Sequence, residues 1–322
     1  MGSYRAVLEV AKYCGPQDVL KHCREVSSVW AQAGLSNELW DLYSDTFGFP
    51  SRHSSESAFQ AYVRGKTQGY TLALFVRDEV VLYDCLTGLT ERWKGLCSDR
   101  MSNWVLYLNK VIRFGGSTAY GGSIATLGTA HMYGPNNHCQ LQTMITPRFF
   151  HNGIIFQGEL YVFGGLNGQT PLNATEKLSL KQQKTISAEL WRSLSNSLHK
   201  RSNVSLCIDL KYIYICGGGS EVERYCPRTD TYLDVFFKLA LSAWTAGVVY
   251  GSKLLLLSGR EVIQTDLQTK EINTSPVSWA WGNYPAMNVV TEDKFLYRVS
   301  ERGIDRYDIA TYTSIPIIAS FK

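Results

Sequence analysis

Long hydrophobic runs, closely spaced cysteine pairs and runs of one charge are all missing from this chain of 322 residues. No apolar segment reaches the roughly 18 residues that a membrane-spanning helix needs, so we expect no membrane partner. The eight cysteines include no CxxC pair of the kind that binds zinc, and we expect them to be reduced and buried. Lys and Arg are scattered and the formal net charge is only +4, which argues against a nucleic-acid partner.

Patterns typical of enzymes are equally scarce. The six histidines form no HxH or HExxH pair, and no nucleophile has a base at a spacing that the sequence reveals. We therefore expect no catalysis, no metal and no cofactor. The opening MGSYRAV has no apolar stretch like that of a signal peptide, so we expect a cytoplasmic or nuclear protein.

Internal repetition is the main positive feature. Six segments share an apolar strand, a polar turn, a second strand that ends at a corner residue, and a further turn. The corners are Asp84, Gly134, Leu180, Cys226, Asp266 and Asp308. Their successive spacings of 50, 46, 46, 40 and 42 residues suit one small four-stranded sheet per repeat. The sequence therefore predicts a mainly β fold.

In three of the repeats a glycine pair ends the second strand of the expected four-stranded sheet, ahead of the corner residue. The pairs are Gly115-Gly116, Gly164-Gly165 and Gly217-Gly218, with Ser258-Gly259 and Ser300-Glu301 as degraded versions. At such a position a side chain would have to accept a positive φ or crowd a neighbouring backbone. We therefore expect a close approach of two chain segments at each pair.

The segments LYVFGG at 160–165 and YIYICGG at 212–218, each followed by a corner and a threonine turn, resemble kelch repeats. The resemblance implies a six-bladed kelch-type β-propeller over residues 69–322, with the C-terminal IPIIASFK expected to pair with the strand near 70–76 and close the ring. A WD-repeat propeller is the alternative. Its signature occurs once, at Trp40-Asp41, outside the repeats.

The first 50 residues have a helical pattern instead. Pro16 suits the first position of a helix and Gly34 suits its C-terminal cap, while Val19, Val26 and Trp30 belong to one apolar stripe. Such a short segment buries little by itself, so we expect an exposed apolar helix face. Residues 51–68 form a linker to the repeats.

This segment resembles an F-box, the helical module that docks a substrate receptor on the Skp adaptor of a cullin ubiquitin ligase. The resemblance implies adaptor contacts by Leu8, Val10, Tyr13, Pro16, Val19, Val26, Trp30, Leu39 and Trp40. It departs from the family where an F-box opens with Leu-Pro, because Ser3, Tyr4 and Arg5 stand there. The function expected is a non-enzymatic substrate receptor of an SCF-type ligase. The alternative is a scaffold subunit that uses both parts as docking surfaces without a ligase role.

The kelch resemblance also implies a ligand face formed by the connections between successive blades and by the turns beside them. The residues expected there are Arg100, Arg148, Arg201, Trp244, Tyr284, Arg77, Arg260, Arg302, Trp279 and Trp281. Guanidinium groups and aromatic rings around one opening suit an acidic or phosphorylated peptide. The alternative for the arginines is that they brace a neighbouring loop.

Overall fold

The computed structural model describes a large part of the chain after residue 70. The described residues are 71–76, 79–84, 90–93, 101–107, 110–120, 123–134, 138–180, 190–209, 211–233, 235–238, 246–250, 252–258, 261–276, 289–292, 295–300, 303–308 and 313–318. They contain β-strands and no helix, and therefore no helix that could span a membrane. The F-box-like segment and the linker lie outside the described residues.

Six antiparallel sheets, here called sheets 1 to 6, follow one another along the described chain. Sheet 1 contains β1 (Thr71–Val76), β2 (Glu79–Asp84) and β3 (Thr90–Trp93). Sheet 2 contains β4 (Asn103–Tyr107), β5 (Lys110–Phe114), β8 (Ala130–Tyr133) and β9 (His138–Leu141), and a separate hairpin of β6 (Ser117–Tyr120) and β7 (Ser123–Thr126) joins β5 to β8. Sheet 3 contains β10 (Asn152–Phe156), β11 (Glu159–Phe163), β14 (Thr175–Ser179) and β15 (Arg192–Ser193), and a hairpin of β12 (Leu166–Asn167) and β13 (Thr170–Pro171) joins β11 to β14.

The remaining three sheets repeat the same order of strands. Sheet 4 contains β16 (Ser205–Ile208), β17 (Ile213–Cys216), β18 (Glu221–Cys226), β19 (Thr231–Tyr232) and β20 (Phe237–Lys238), with the last two both paired to β18. Sheet 5 contains β21 (Ala246–Tyr250), β22 (Lys253–Ser258), β23 (Glu261–Asp266) and β24 (Ile272–Pro276). Sheet 6 contains β25 (Val289–Glu292), β26 (Phe295–Ser300), β27 (Gly303–Asp308) and β28 (Thr313–Ile318).

The hydrophobic core lies between successive sheets. Sheet 2 packs on sheet 3 through Phe114 and Val162, sheet 3 on sheet 4 through Phe163 and Ile215, and sheet 4 on sheet 5 through a cluster that includes Leu256. The second strands are therefore covered on both sides, which explains why β11 and β17 are almost continuous apolar runs instead of alternating ones.

The first strands of successive sheets lie side by side. β4 contacts β10, β10 contacts β16, β16 contacts β21, and β21 contacts β25. Side chains link them as well: Asn103 Nδ2 donates to Asn152 Oδ1 at 3.0 Å, and the Gly247 N–H donates to Ser205 Oγ at 2.9 Å. This order of stacked sheets is consistent with a kelch propeller.

The repeat corners and the glycine pairs agree with the sequence predictions. β2, β18, β23 and β27 end at their predicted corners, and β8 and β14 end one residue before theirs. All six glycines of the three pairs have positive φ. The expected ring closure is not seen among the described strands: β28 pairs with β27, β1 pairs with β2, and no pairing joins β28 to β1. Residues 319–322 of the expected closing segment lie outside the described residues.

Candidate interaction face

One end of sheets 2 to 4 carries the three glycine pairs, and here we call it the braced face. It is formed by two connections between sheets, residues 142–151 and 194–204, and by the hairpins β6–β7 and β12–β13. The hairpins touch, since the Gly168 N–H donates to Thr126 Oγ1 at 3.0 Å. Each connection carries an arginine that is buried beneath the surface of this end.

Arg148 and Glu176 form the first brace. The Arg148 guanidinium bonds the Glu176 carboxylate and also donates to the carbonyls of Gly164 and Ala174, at 2.9 and 2.8 Å. Both charged side chains are fully buried. Burial lowers the pKa of Arg148, and the charge and hydrogen bond of the Glu176 carboxylate oppose that shift in part. A paired buried arginine with several hydrogen bonds fixes its connection rigidly to sheet 3.

Arg201 and Glu223 repeat this arrangement in sheet 4. The Arg201 guanidinium bonds the Glu223 carboxylate and donates to the carbonyls of Gly217 and Glu221, at 3.1 and 2.9 Å. Here the carboxylate has one further partner, because His199 Nδ1 lies 3.0 Å from Glu223 Oε1. The second connection is therefore held to sheet 4 as the first is held to sheet 3.

The backbone of each arginine binds the sheet before it. The carbonyl of Arg148 accepts the Gly116 N–H at 2.9 Å, and the carbonyl of Arg201 accepts the Gly165 N–H at the same distance. A Cβ atom added to Gly164 would lie 2.6 Å from the Arg201 carbonyl oxygen, closer than such contacts allow. The first two glycine pairs thus leave room for the next connection, and each arginine joins two sheets.

A buried histidine lies beside the first brace. His151 packs its ring on Phe114, with 5.2 Å between the ring centroids. Burial, and secondly the positive charge of Arg148, lower its pKa from 6.5 to about 3. The imidazole is therefore neutral over the whole physiological range. In sheet 4 the equivalent position, one residue before the first strand, holds the buried Val204.

The braces leave an apolar side chain exposed on each connection. Ile145 is 53% exposed and Leu198 is 50% exposed. Their backbone N–H groups donate to Glu176 Oε2 and Glu223 Oε2, both at 2.9 Å. The buried carboxylates therefore fix two large apolar residues at equivalent positions on the surface, and neither connection contains an Asp or Glu. Lys200 and His199 beside Leu198 are also exposed.

Two of the ten residues predicted for the ligand face are described, and both are buried. Arg148 and Arg201 act as braces, which is the alternative that the sequence left open, and their guanidinium groups do not face solvent. The other eight predicted face residues and all nine predicted adaptor contacts lie outside the described residues, so their roles stay predictions. Sequence reasoning missed Glu176, Glu223, Ile145 and Leu198. The signal was available, because Ile145 and Leu198 each stand three residues before a brace arginine.

Within the described part of the chain, no group of three His, Cys, Asp or Glu side chains could hold a metal ion. Cys207, Cys216 and Cys226 are buried free thiols and Cys139 is half-buried, also as a free thiol.

Comparison with known families identifies the same region. The family model of the Kelch motif matches residues 147–196, which run from the first brace connection to β15. The match and the strand-rich sheets support a kelch-repeat protein. Kelch repeats suggest a role in protein interaction, since kelch-repeat proteins are generally interaction modules and not enzymes. No curated protein matches the chain.

Proposed function

We propose that this chain is a non-enzymatic protein-interaction protein in which a six-bladed kelch propeller, residues 69–322, binds a protein partner on its braced face. The observation that carries the proposal is the repeated exposure of Ile145 and Leu198 on connections that buried ion pairs hold in place. Preorganised apolar side chains bind with little loss of conformational entropy, so they suit an interface anchor.

The charge of the two connections favours an acidic or phosphorylated peptide as the partner. Neither connection has an acidic residue, and Lys200 and His199 are exposed next to Leu198. Arginines and aromatic residues expected on the same face, such as Arg100, Trp244 and Trp281, would add positive charge and stacking surfaces. Cationic groups around apolar anchors select an apolar segment that carries negative charge.

The test is a substitution of the two anchors in the full chain. I145D together with L198D should abolish capture of the partner that the unaltered chain captures, because an interface centred on these residues would have to bury two carboxylates. Ile272 is 43% exposed on sheet 5, away from the braced face, and I272D is the matched control. Equal capture by the anchor variant and the control would refute a partner site on this face.

We also propose that the protein serves as a substrate receptor of an SCF-type cullin ubiquitin ligase, in the cytoplasm or nucleus, with residues 1–50 as the docking segment. The support is the F-box resemblance of these residues, and the propeller would hold a substrate close to the ubiquitin-conjugating enzyme. The scaffold role without a ligase is the other candidate, and the absent Leu-Pro start favours it.

Purified Skp-type adaptor distinguishes the two roles. The receptor role predicts a stable complex of the adaptor with the full chain in size-exclusion chromatography, and its loss in V26D and W30S variants, which disrupt the expected apolar stripe. A variant on the polar side of the same predicted helix, Lys21→Gln, serves as the control. Absence of any complex with the unaltered chain leaves the scaffold role.

A further inference from the structure

Three cations and two aromatic rings form a cluster at the opposite end of the sheets from the glycine pairs. Lys211 Nζ lies 4.8 Å and Arg224 Cζ 4.6 Å from the centre of the Tyr212 ring. Arg224 Cζ also lies 5.2 Å, and Lys270 Nζ 5.3 Å, from the centre of the Phe236 ring. Here we call these five residues the cation cluster, which joins sheet 4 to the turn before β24.

The aromatic rings, and not carboxylates, are the described partners of these cations. Among the described residues, no ion pair joins Lys211, Arg224 or Lys270 to a carboxylate. Asp209 accepts the N–H groups of Lys211 and Tyr212 and the Tyr214 hydroxyl, so its carboxylate is occupied by its own turn. Asp209 is therefore held within its own turn, and the described structure shows no ion pair from it to the cations of the cluster.

The Asp266 carboxylate is held in a similar way, in the turn that carries Lys270. It accepts the N–H groups of Gln268 and Thr269, at 2.8 and 2.9 Å, and the Ser252 hydroxyl at 3.3 Å. These bonds lower its pKa, the Thr269 N–H being the largest cause, and keep the carboxylate charged within the turn. The Asp266 carboxylate is thus hydrogen-bonded within its own turn.

Arg224 is the central cation of this cluster. It stands on β18 opposite Tyr214 and is half-buried between the two rings, and its Nε atom is buried without a hydrogen-bond partner. An arginine with an unmet donor, flanked by two exposed lysines, costs free energy that stacking on rings offsets only in part. An anion bound at the cluster would offset the repulsion among the three cations.

We propose that the cation cluster is a binding site for phosphate groups. A phosphate monoester carries a charge of about −2 and three acceptor oxygens, which suits a guanidinium with neighbouring ammonium groups better than a single carboxylate does. The rings are covered by the cations and are not free to stack on a base, so the ligand is recognised by its charge and oxygens. This site lies apart from the braced face and does not depend on the function proposed for it.

Titration of the full chain with sodium pyrophosphate, followed by calorimetry at constant ionic strength against sodium chloride, tests the site. The unaltered chain should bind one pyrophosphate, and K211Q combined with K270Q should weaken binding tenfold or more. K177Q combined with K238Q removes the same charge from two lysines outside the cluster, each paired with a glutamate, and should change binding less than twofold. Absence of binding by the unaltered chain, or equal weakening by both pairs, would overturn the proposal.

Arg224 supplies a second readout, because lysine keeps its charge but not its planar fork. R224K should weaken pyrophosphate binding severalfold while leaving the melting temperature in chloride close to that of the unaltered chain. A competition experiment then separates two sources of the phosphate group. Displacement of pyrophosphate by a phosphoserine peptide at concentrations where inorganic phosphate fails would identify a phosphorylated protein, and equal displacement by both would identify a small phosphate compound.

Discussion

Sheets 3 and 4 contain a buried ion pair that sheet 5 lacks, although all three have the same strand order. In sheets 3 and 4 the third strand places Glu176 opposite Val162 and Glu223 opposite Ile215. At the equivalent register of sheet 5, Ile263 stands opposite Leu256, and both are buried. A sheet of this kind thus forms with an apolar residue at that position. What the brace adds is a fixed connection to the preceding sheet.

Breaking one brace should have the largest effect on stability. R148M removes the guanidinium and leaves Glu176 as a buried charge without its cation, which is expected to lower the free energy of unfolding by about 3–5 kcal/mol. Urea denaturation followed by tryptophan fluorescence measures the change. K177Q is the control, because Lys177 pairs with Glu159 near the surface and its loss should cost less than about 1 kcal/mol.

If R148M were no more destabilising than K177Q, the brace would be dispensable and sheets 3 and 5 would be energetically alike. Sheets 3 and 5 would then differ in structure but not in stability. A large loss of unfolding free energy in R148M alone would instead show that a single buried charge without its partner is strongly destabilising.

Replacing the whole pair should recover much of that loss. R148M combined with E176I gives sheet 3 the apolar residue that sheet 5 has in Ile263, so no buried charge is left alone. We expect the double variant to regain about 2–3 kcal/mol relative to R148M, measured by the same urea denaturation. A double variant as unstable as R148M would mean that hydrogen bonds to Gly164 and Ala174, and not the unpaired carboxylate, account for the cost.

Much of the fold was predictable because its signals are local. The repeated order of apolar strands, turns and glycine pairs identified the strand ends, and Asp84 and Asp266 were placed correctly as corners. The burial of Arg148 was not predictable in the same way. Its partner Glu176 is 28 residues away on another strand, and an arginine in a loop is usually exposed. The exposed Ile145 was missed because an apolar residue in a sequence is ordinarily assigned to the core.

The two braces also differ in the residue before the first strand, His151 in one and Val204 in the other. The folded protein keeps His151 neutral with a pKa of about 3, whereas the unfolded chain takes up a proton below 6.5. Its contribution to stability is complete above pH 6.5 and falls as the pH decreases toward 3, by about 2 kcal/mol between pH 7 and pH 5.

H151V makes sheet 3 resemble sheet 4 and should remove this part of the pH dependence. Urea midpoints of the unaltered chain and of H151V at pH 7 and pH 5 give the difference. His138 is exposed and contacts His131, so H138Q measures separately what this pair of histidines contributes to the pH dependence. Parallel pH profiles for all three chains would assign the acid sensitivity to other groups.

The smallest expected effect on stability concerns Gly164, which lies against the second connection. Gly164 and Gly168 have the same φ of +59°, but a Cβ at Gly164 would meet the Arg201 carbonyl oxygen whereas a Cβ at Gly168 would meet nothing within 4 Å. G168A should therefore cost about 1 kcal/mol, the backbone strain alone, and G164A about 1 kcal/mol more because the connection must shift. Sheet 5 has Ser258 where Gly164 stands in sheet 3. If G164A costs no more stability than G168A, the connection can shift freely and the glycine pair does not hold it in place. A larger cost for G164A would assign to Gly164 a separate share in fixing Leu198 on the surface.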